Sequence, residues 1–125
     1  IRNSILSFYD KGGETLREKG YVLDLPVLKG ASGVNHTFDL VAKKNDKNVF
    51  ILEAFFSEKE IPEATLISFL TKVYDTRPEK AAIVAVPSLS SMAVNMLNGL
   101  GIKVLVSPTI YEAKERLVEI SEFLS

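Results

Sequence analysis

Apolar residues recur every three to four positions between residues 3 and 19, where Ile5, Phe8, Tyr9 and Leu16 mark one face, so a helix is predicted there. Asn3 or Ser4 can cap its start and Gly20 its end. Gly12 and Gly13 inside it predict either a kink or a close packing contact. YVLDLPVL (21–28) then reads as one short strand, with Pro26 arguing for an edge or an exit. KGASG (29–33) is a turn-rich loop. HTFDLVAKK (36–44) and NVFILEAFF (48–56) are strands joined by a polar tip centred on Asn45 and Asp46. Helical spacing returns from Ile61 to Tyr74, with Pro62 in the first turn. AAIVAVP (81–87) and IKVLVSP (102–108) are short buried strands around a helical SLSSMAVNMLNGLG (88–101). In TIYEAKERLVEISEFL (109–124), Ile110, Ala113, Leu117, Ile120 and Leu124 form the stripe of a final amphipathic helix.

A strand–helix–strand connection favours parallel pairing through a right-handed crossover. The order α, three strands in a meander, α, β, α, β, α therefore predicts an α/β fold, a mixed five-stranded sheet flanked by helices on both faces. The 125 residues fit a single domain over 1–125, and a start at Ile1 rather than Met is expected of a piece of a larger protein.

Composition narrows the chemistry. The absence of cysteine excludes disulfides, thiolate catalysis and cysteine-bound zinc or iron–sulfur clusters, and the single His36 excludes a multi-histidine metal centre. With no signal peptide and no apolar run near the ~20 residues that span a bilayer, a cytoplasmic protein is expected. A net charge of −1 leaves any nucleic-acid binding to local clusters of cations or to a further domain.

Two acids interrupt the apolar strands. Asp39 shares a face with Thr37 and Val41, and Glu53 shares one with Val49, Ile51 and Phe55. Counting back from the hairpin tip sets Asp39 opposite residue 52 or 53, so the two carboxylates are predicted to be neighbours; a slip of one residue would separate them. Such a pair repels by about 4 kcal/mol at ~4 Å and an effective dielectric of ~20. A raised pKa, a nearby cation or a divalent metal would relieve it, and hard oxygen ligands suit magnesium, manganese or calcium.

The run GASGVNHTFDLVAKK…NVFILEAFF resembles the core of the PD-(D/E)xK nuclease superfamily, in particular the restriction-endonuclease-like domains of type IV restriction proteins. There a G-x-x-G-x-x-H-x-F-D approach leads to the second strand, and a third strand ends in acid–x–lysine. KAAIVAVPSLSSMAVNMLNGLGIKVL is similar to that family's second half. The resemblance implies a restriction-endonuclease-like fold and phosphodiester hydrolysis that depends on Mg2+ or Mn2+, with DNA as the partner. By position it implies Glu14 as the acid of the first helix and Asp39 and Glu53 as metal ligands.

The lysine position is Phe55. Three explanations stand beside one another: a dead site whose fold is kept for binding or regulation, a lysine that has migrated to Lys72 on the following helix, or metal acting alone. Thr65 and Ser68 predict that Lys72 lies on a polar, outward stripe. Lys43, Lys44 and Lys47 at the hairpin tip are candidate phosphate contacts, with Lys11, Arg17 and Lys19 extending the patch. Gly30 and Gly33 precede no helix and make no phosphate-binding loop; they are turn residues that bring the backbone close to the site. His36 is predicted to be hydrogen-bonded at a strand start, and Ser88 or Ser90 to cap a helix. A nucleic-acid-binding or regulatory domain with a degenerate site, an active endonuclease, and a protein-interaction module are the functional expectations. The last would form a homodimer through the final helix or a sheet edge.

Overall fold

The structure, a computed structural model, describes residues 2–125. The chain runs α1 (Arg2–Glu18), β1 (Val22–Leu23), β2 (Val27–Lys29), β3 (Asn35–Thr37), β4 (Leu40–Lys44), β5 (Asn48–Phe56), α2 (Glu63–Thr76), β6 (Lys80–Val86), α3 (Ser91–Gly99), β7 (Lys103–Val106), α4 (Ile110–Glu115) and α5 (Val118–Phe123). The main sheet has the order β1-β4-β5-β6-β7, antiparallel from β1 to β5 and parallel from β5 to β7. This is the mixed five-stranded sheet that the patterning predicts.

Strand alternation splits the core in two. Phe50 and Leu52 of β5 pack with Phe8 and Leu16 of α1 and with Leu117 and Ile120 beyond α4. Ile51 packs on the other face with Leu66 and Phe69 of α2 and Leu97 of α3. No helix among the described residues is long and apolar enough to cross a membrane.

Three predicted elements are broken, each where tertiary contacts replace the regular ladder. The strand expected over 21–28 stops at Asp24, whose Oδ1 accepts from the Leu25 amide (2.8 Å). Pro26, which has no amide to give, accepts from Phe38 instead (2.9 Å). β2 then leaves the main sheet and pairs with β3 in a separate two-stranded ribbon. The strand expected over 36–44 breaks at the same place, with Phe38 turned into the core and Asp39 in a bend. The final helix is two short helices separated at Arg116 and Leu117. The Arg116 guanidinium bonds the Val106 carbonyl, Ser107 Oγ (3.2 Å) and Glu119 Oε2 (2.6 Å). Ala113, Leu117, Ile120 and Leu124 are buried against the sheet of their own chain. That stripe is spent on the core of its own chain.

Candidate active site

Asp39 and Glu53 meet at one end of the β4–β5 ladder. The register pairs Leu40 with Leu52, so Asp39, one residue before β4, comes level with Glu53. The two differ in setting. Asp39 is exposed at the bend, whereas Glu53 is only 8% exposed between two central strands. Asp39 Oδ2 accepts two hydrogen bonds, from the Ala54 amide (2.7 Å) and from the Tyr9 hydroxyl (2.8 Å). Burial raises the Glu53 carboxyl above its ordinary range; the Lys72 ion pair pulls it down, and the Asp39 charge adds to the rise. Burial and the hydrogen bond to Asp39 likewise push the Tyr9 hydroxyl far up, so it remains a neutral donor.

Lys72 reaches this point from α2. Its Nζ lies 2.8 Å from Glu53 Oε1 and 3.0 Å from Oε2, donates to the Thr37 carbonyl (2.7 Å), and sits 4.8 Å from the centre of the Phe38 ring. The outward stripe read from Thr65 and Ser68 is corrected here. Lys72 follows Phe69 by three residues, at the border of the buried face, and its flexible stem carries the ammonium back to the sheet. Phe55, two residues after Glu53 on the same strand, packs edge-on against Phe69 (6.4 Å).

Glu14 is not brought to this site. It is exposed and lines a groove of about 520 Å³ between α1 and α4–α5, with Asp10, Lys11 and Lys114 among its neighbours. The glycines explain why. A Cβ on Gly12 would stand 3.3 Å from Leu40 Cδ1, and one on Gly13 3.2 Å from Leu23 Cδ1, so these glycines are the face of α1 laid on the sheet. Tyr9, one turn earlier, shares that face, and Glu14 is rotated off it. The paired glycines are thus a close contact within an unbroken helix.

The tip lysines lie toward the opposite end of the β4–β5 hairpin: Lys43 and Lys44 pair with Val49 and Asn48, about 13–17 Å along β5 from Glu53 at ~3.3 Å per residue, and Lys47 lies beyond them. Lys43 Nζ pairs with Asp24 Oδ2 (3.1 Å), and Lys44 Nζ lies 5.8 Å from the Tyr21 ring centre. Lys47 is exposed at the tip.

Asp75, near the end of α2, has no counterpart in the sequence reading. Its Oδ1 accepts from the Ser32 amide (3.0 Å), and its Oδ2 accepts from Ser32 Oγ (2.6 Å) and lies 2.7 Å from His36 Nε2. Its carbonyl accepts from the Ala31 amide (2.9 Å). The carboxylate therefore clamps the β2–β3 loop and strand onto the helix that carries Lys72. The Ser32 hydroxyl, then His36 and the Ser32 amide, hold the Asp75 carboxyl at about 2, against an ordinary 3.8. A depressed carboxyl stabilises the fold above its ordinary value, and this contribution is lost as pH falls through the folded one. Asp75→Asn is accordingly expected to lower the urea midpoint at neutral pH. Its gap to wild type should close between about pH 4 and about pH 2; a gap that ignores pH would contradict a role for the charge.

A scan against protein-family models gives no match, and a search of curated proteins gives none. Solved structures do match. The protein VC1899 from Vibrio cholerae superposes with a TM-score of 0.59 at 14% identity, over 91% of this chain and 33% of that one. The protein of unknown function AF1548 gives 0.58 at 18% identity, over 78% and 56%. A repair endonuclease from Pyrococcus abyssi gives 0.52 at 15% identity, over 87% and 48%. The chain has a restriction-endonuclease-like fold. It spans from about a third to just over half of the length of these neighbours. Within the fold, Asp39 stands at the entry to β4 and Glu53 within β5.

Proposed function

We propose that this domain is a divalent-metal-dependent phosphodiesterase acting on DNA, in which Lys72 has taken the place of the strand lysine. The observation that carries this reading is the seat of Lys72, whose ammonium bonds both oxygens of Glu53 in the site shared with Asp39. A migrated lysine needs to deliver only its charge beside the acids, and Lys72 reaches Glu53 from α2. DNA as substrate is supported by the resemblance, by a fold shared with a repair endonuclease, and by the exposed Lys47.

The donor set suits one hard cation. Among the described residues no group of three or more acidic or histidine side chains could hold a metal. Magnesium, however, needs only one or two carboxylates when waters and substrate phosphates complete its shell, and Asp39 and Glu53 provide two. A bound magnesium or manganese ion would supply activation of the attacking water and charge neutralisation at the leaving oxygen. The protein's own part is electrostatic. Lys72, held by the Thr37 carbonyl and the Phe38 ring, supplies a fixed positive charge where negative charge builds on the phosphate. Asp39→Asn, which keeps the side-chain shape and an acceptor for Tyr9, is expected to abolish plasmid nicking while the chain still folds. Unchanged nicking by this variant would refute the assignment.

A second reading rests on the internal pairing of the same charges. Lys72 neutralises Glu53, and Tyr9 with the Ala54 amide satisfies one oxygen of Asp39, as in a degenerate site whose domain binds nucleic acid or regulates a larger protein. Salt-sensitive DNA binding by a wild-type chain that never cleaves in magnesium or manganese would select it.

A further inference from the structure

We infer that Tyr9 is a positioning residue of this site: its hydroxyl holds Asp39 in a pose that leaves the other carboxylate oxygen for a cation, at the place where an acid of the first helix was expected. The inference rests on the metal-holding reading of Asp39 and Glu53 and deepens it.

Three observations carry it. The Tyr9 ring is fixed before its hydroxyl makes any bond, because it packs edge-on against Phe8 (5.3 Å, 81°) and Phe56 (6.3 Å, 77°). A hydroxyl delivered by a packed ring costs little rotamer freedom when it binds. Next, both donors fall on one oxygen. Asp39 Oδ2 takes the Tyr9 hydroxyl and the Ala54 amide, and among the described residues Oδ1 takes no hydrogen bond. An exposed carboxylate at a bend would otherwise turn freely about its χ angles; two donors on Oδ2 stop that rotation. Finally, Ala54 directly follows Glu53, so the amide that pins Asp39 belongs to the peptide unit that carries the second acid. Tyr9 closes this arrangement from the α1 side, while Lys72 closes it from α2. The paired glycines complete the geometry: they let α1 lie close on the sheet, where side chains at Gly12 and Gly13 would press on Leu40 and Leu23.

A purely structural tyrosine would do no more than satisfy its own hydroxyl beside a convenient acceptor. The two roles part on metal affinity. Partners that orient metal ligands typically contribute 10- to 100-fold to binding. Tyr9→Phe keeps the ring contacts and removes only the hydroxyl. Manganese is titrated by calorimetry into the wild-type chain, Tyr9→Phe and Asp39→Asn, each well below its melting transition so that stability does not enter the constant. The expected result is a Kd for Tyr9→Phe weakened by about tenfold, with a larger loss in Asp39→Asn. An unchanged Kd in Tyr9→Phe, with binding intact in wild type, overturns the role of Tyr9 and leaves the metal reading standing. No binding by wild type overturns both.

Discussion

Lys72→Met is expected to slow plasmid nicking by roughly 10²- to 10³-fold, the usual loss when one preorganised electrostatic contributor is removed. Methionine keeps an unbranched stem of similar length along the Phe38 ring and deletes only the charge. What remains is Glu53 in a nearly dry position with no cation beside it. Its carboxyl is already raised by burial, and without Lys72 it rises further and takes up a proton more readily. The sign for stability follows: a carboxyl raised in the folded state favours folding where it is protonated and opposes it as pH climbs through the folded value. Lys72→Met should therefore lose stability as pH rises from the ordinary carboxylate range through the raised folded value, by about 1–3 kcal/mol in all for a pair this sheltered, and level off above it. Rates are to be compared below the melting transition of the variant. A variant that folds and nicks as fast as wild type would show that the ammonium has no part in the chemistry.

Gly30→Ala is expected to lower the melting temperature by roughly 10 °C. An added Cβ would lie 1.9 Å from Asp75 Oδ2 and 2.3 Å from Cγ, so the carboxylate must leave. It is the far end of a side chain and can move, but moving it breaks the bonds to Ser32 and His36 that hold the loop to α2. The cost lies in those lost bonds and not in backbone strain, which gives a sharp check by thermal melts. In an Asp75→Ala background the same substitution should cost almost nothing, because the clash and the bonds are both gone. Equal costs in the two backgrounds would place the damage elsewhere. Activity should fall as well, since the loop leads through His36 into Thr37, whose carbonyl anchors Lys72.

Periodicity carried much of the fold. The nine-residue run of β5, apolar but for Asn48 and Glu53, and the short apolar runs of β6 and β7 read plainly as strands, and the hairpin tip fixed a register that brings Asp39 level with Glu53. The breaks at Pro26, Phe38 and Arg116 were less legible because partners distant in sequence impose them. A strand pattern continues through Phe38 even though its amide bonds Pro26 in a different ribbon. The site divides in the same way. Asp39 and Glu53 stand out as charges in apolar strands. Lys72 was a visible candidate, yet its neighbours in sequence pointed it outward, since a long stem at the edge of a helical stripe can turn either way. Tyr9 looked like one more apolar-face residue, and Glu14 like the helix acid, because only the docking of Gly12 and Gly13 on the sheet decides which side of α1 meets the bend. Asp75 gave no local signal, for its partner Ser32 lies 43 residues away.

The most direct test of the account is a time course of supercoiled plasmid with the wild-type chain in magnesium, in manganese and in excess EDTA. The account predicts conversion to nicked circles in either metal and none with EDTA. Intact plasmid throughout, or nicking that EDTA leaves untouched, would contradict it.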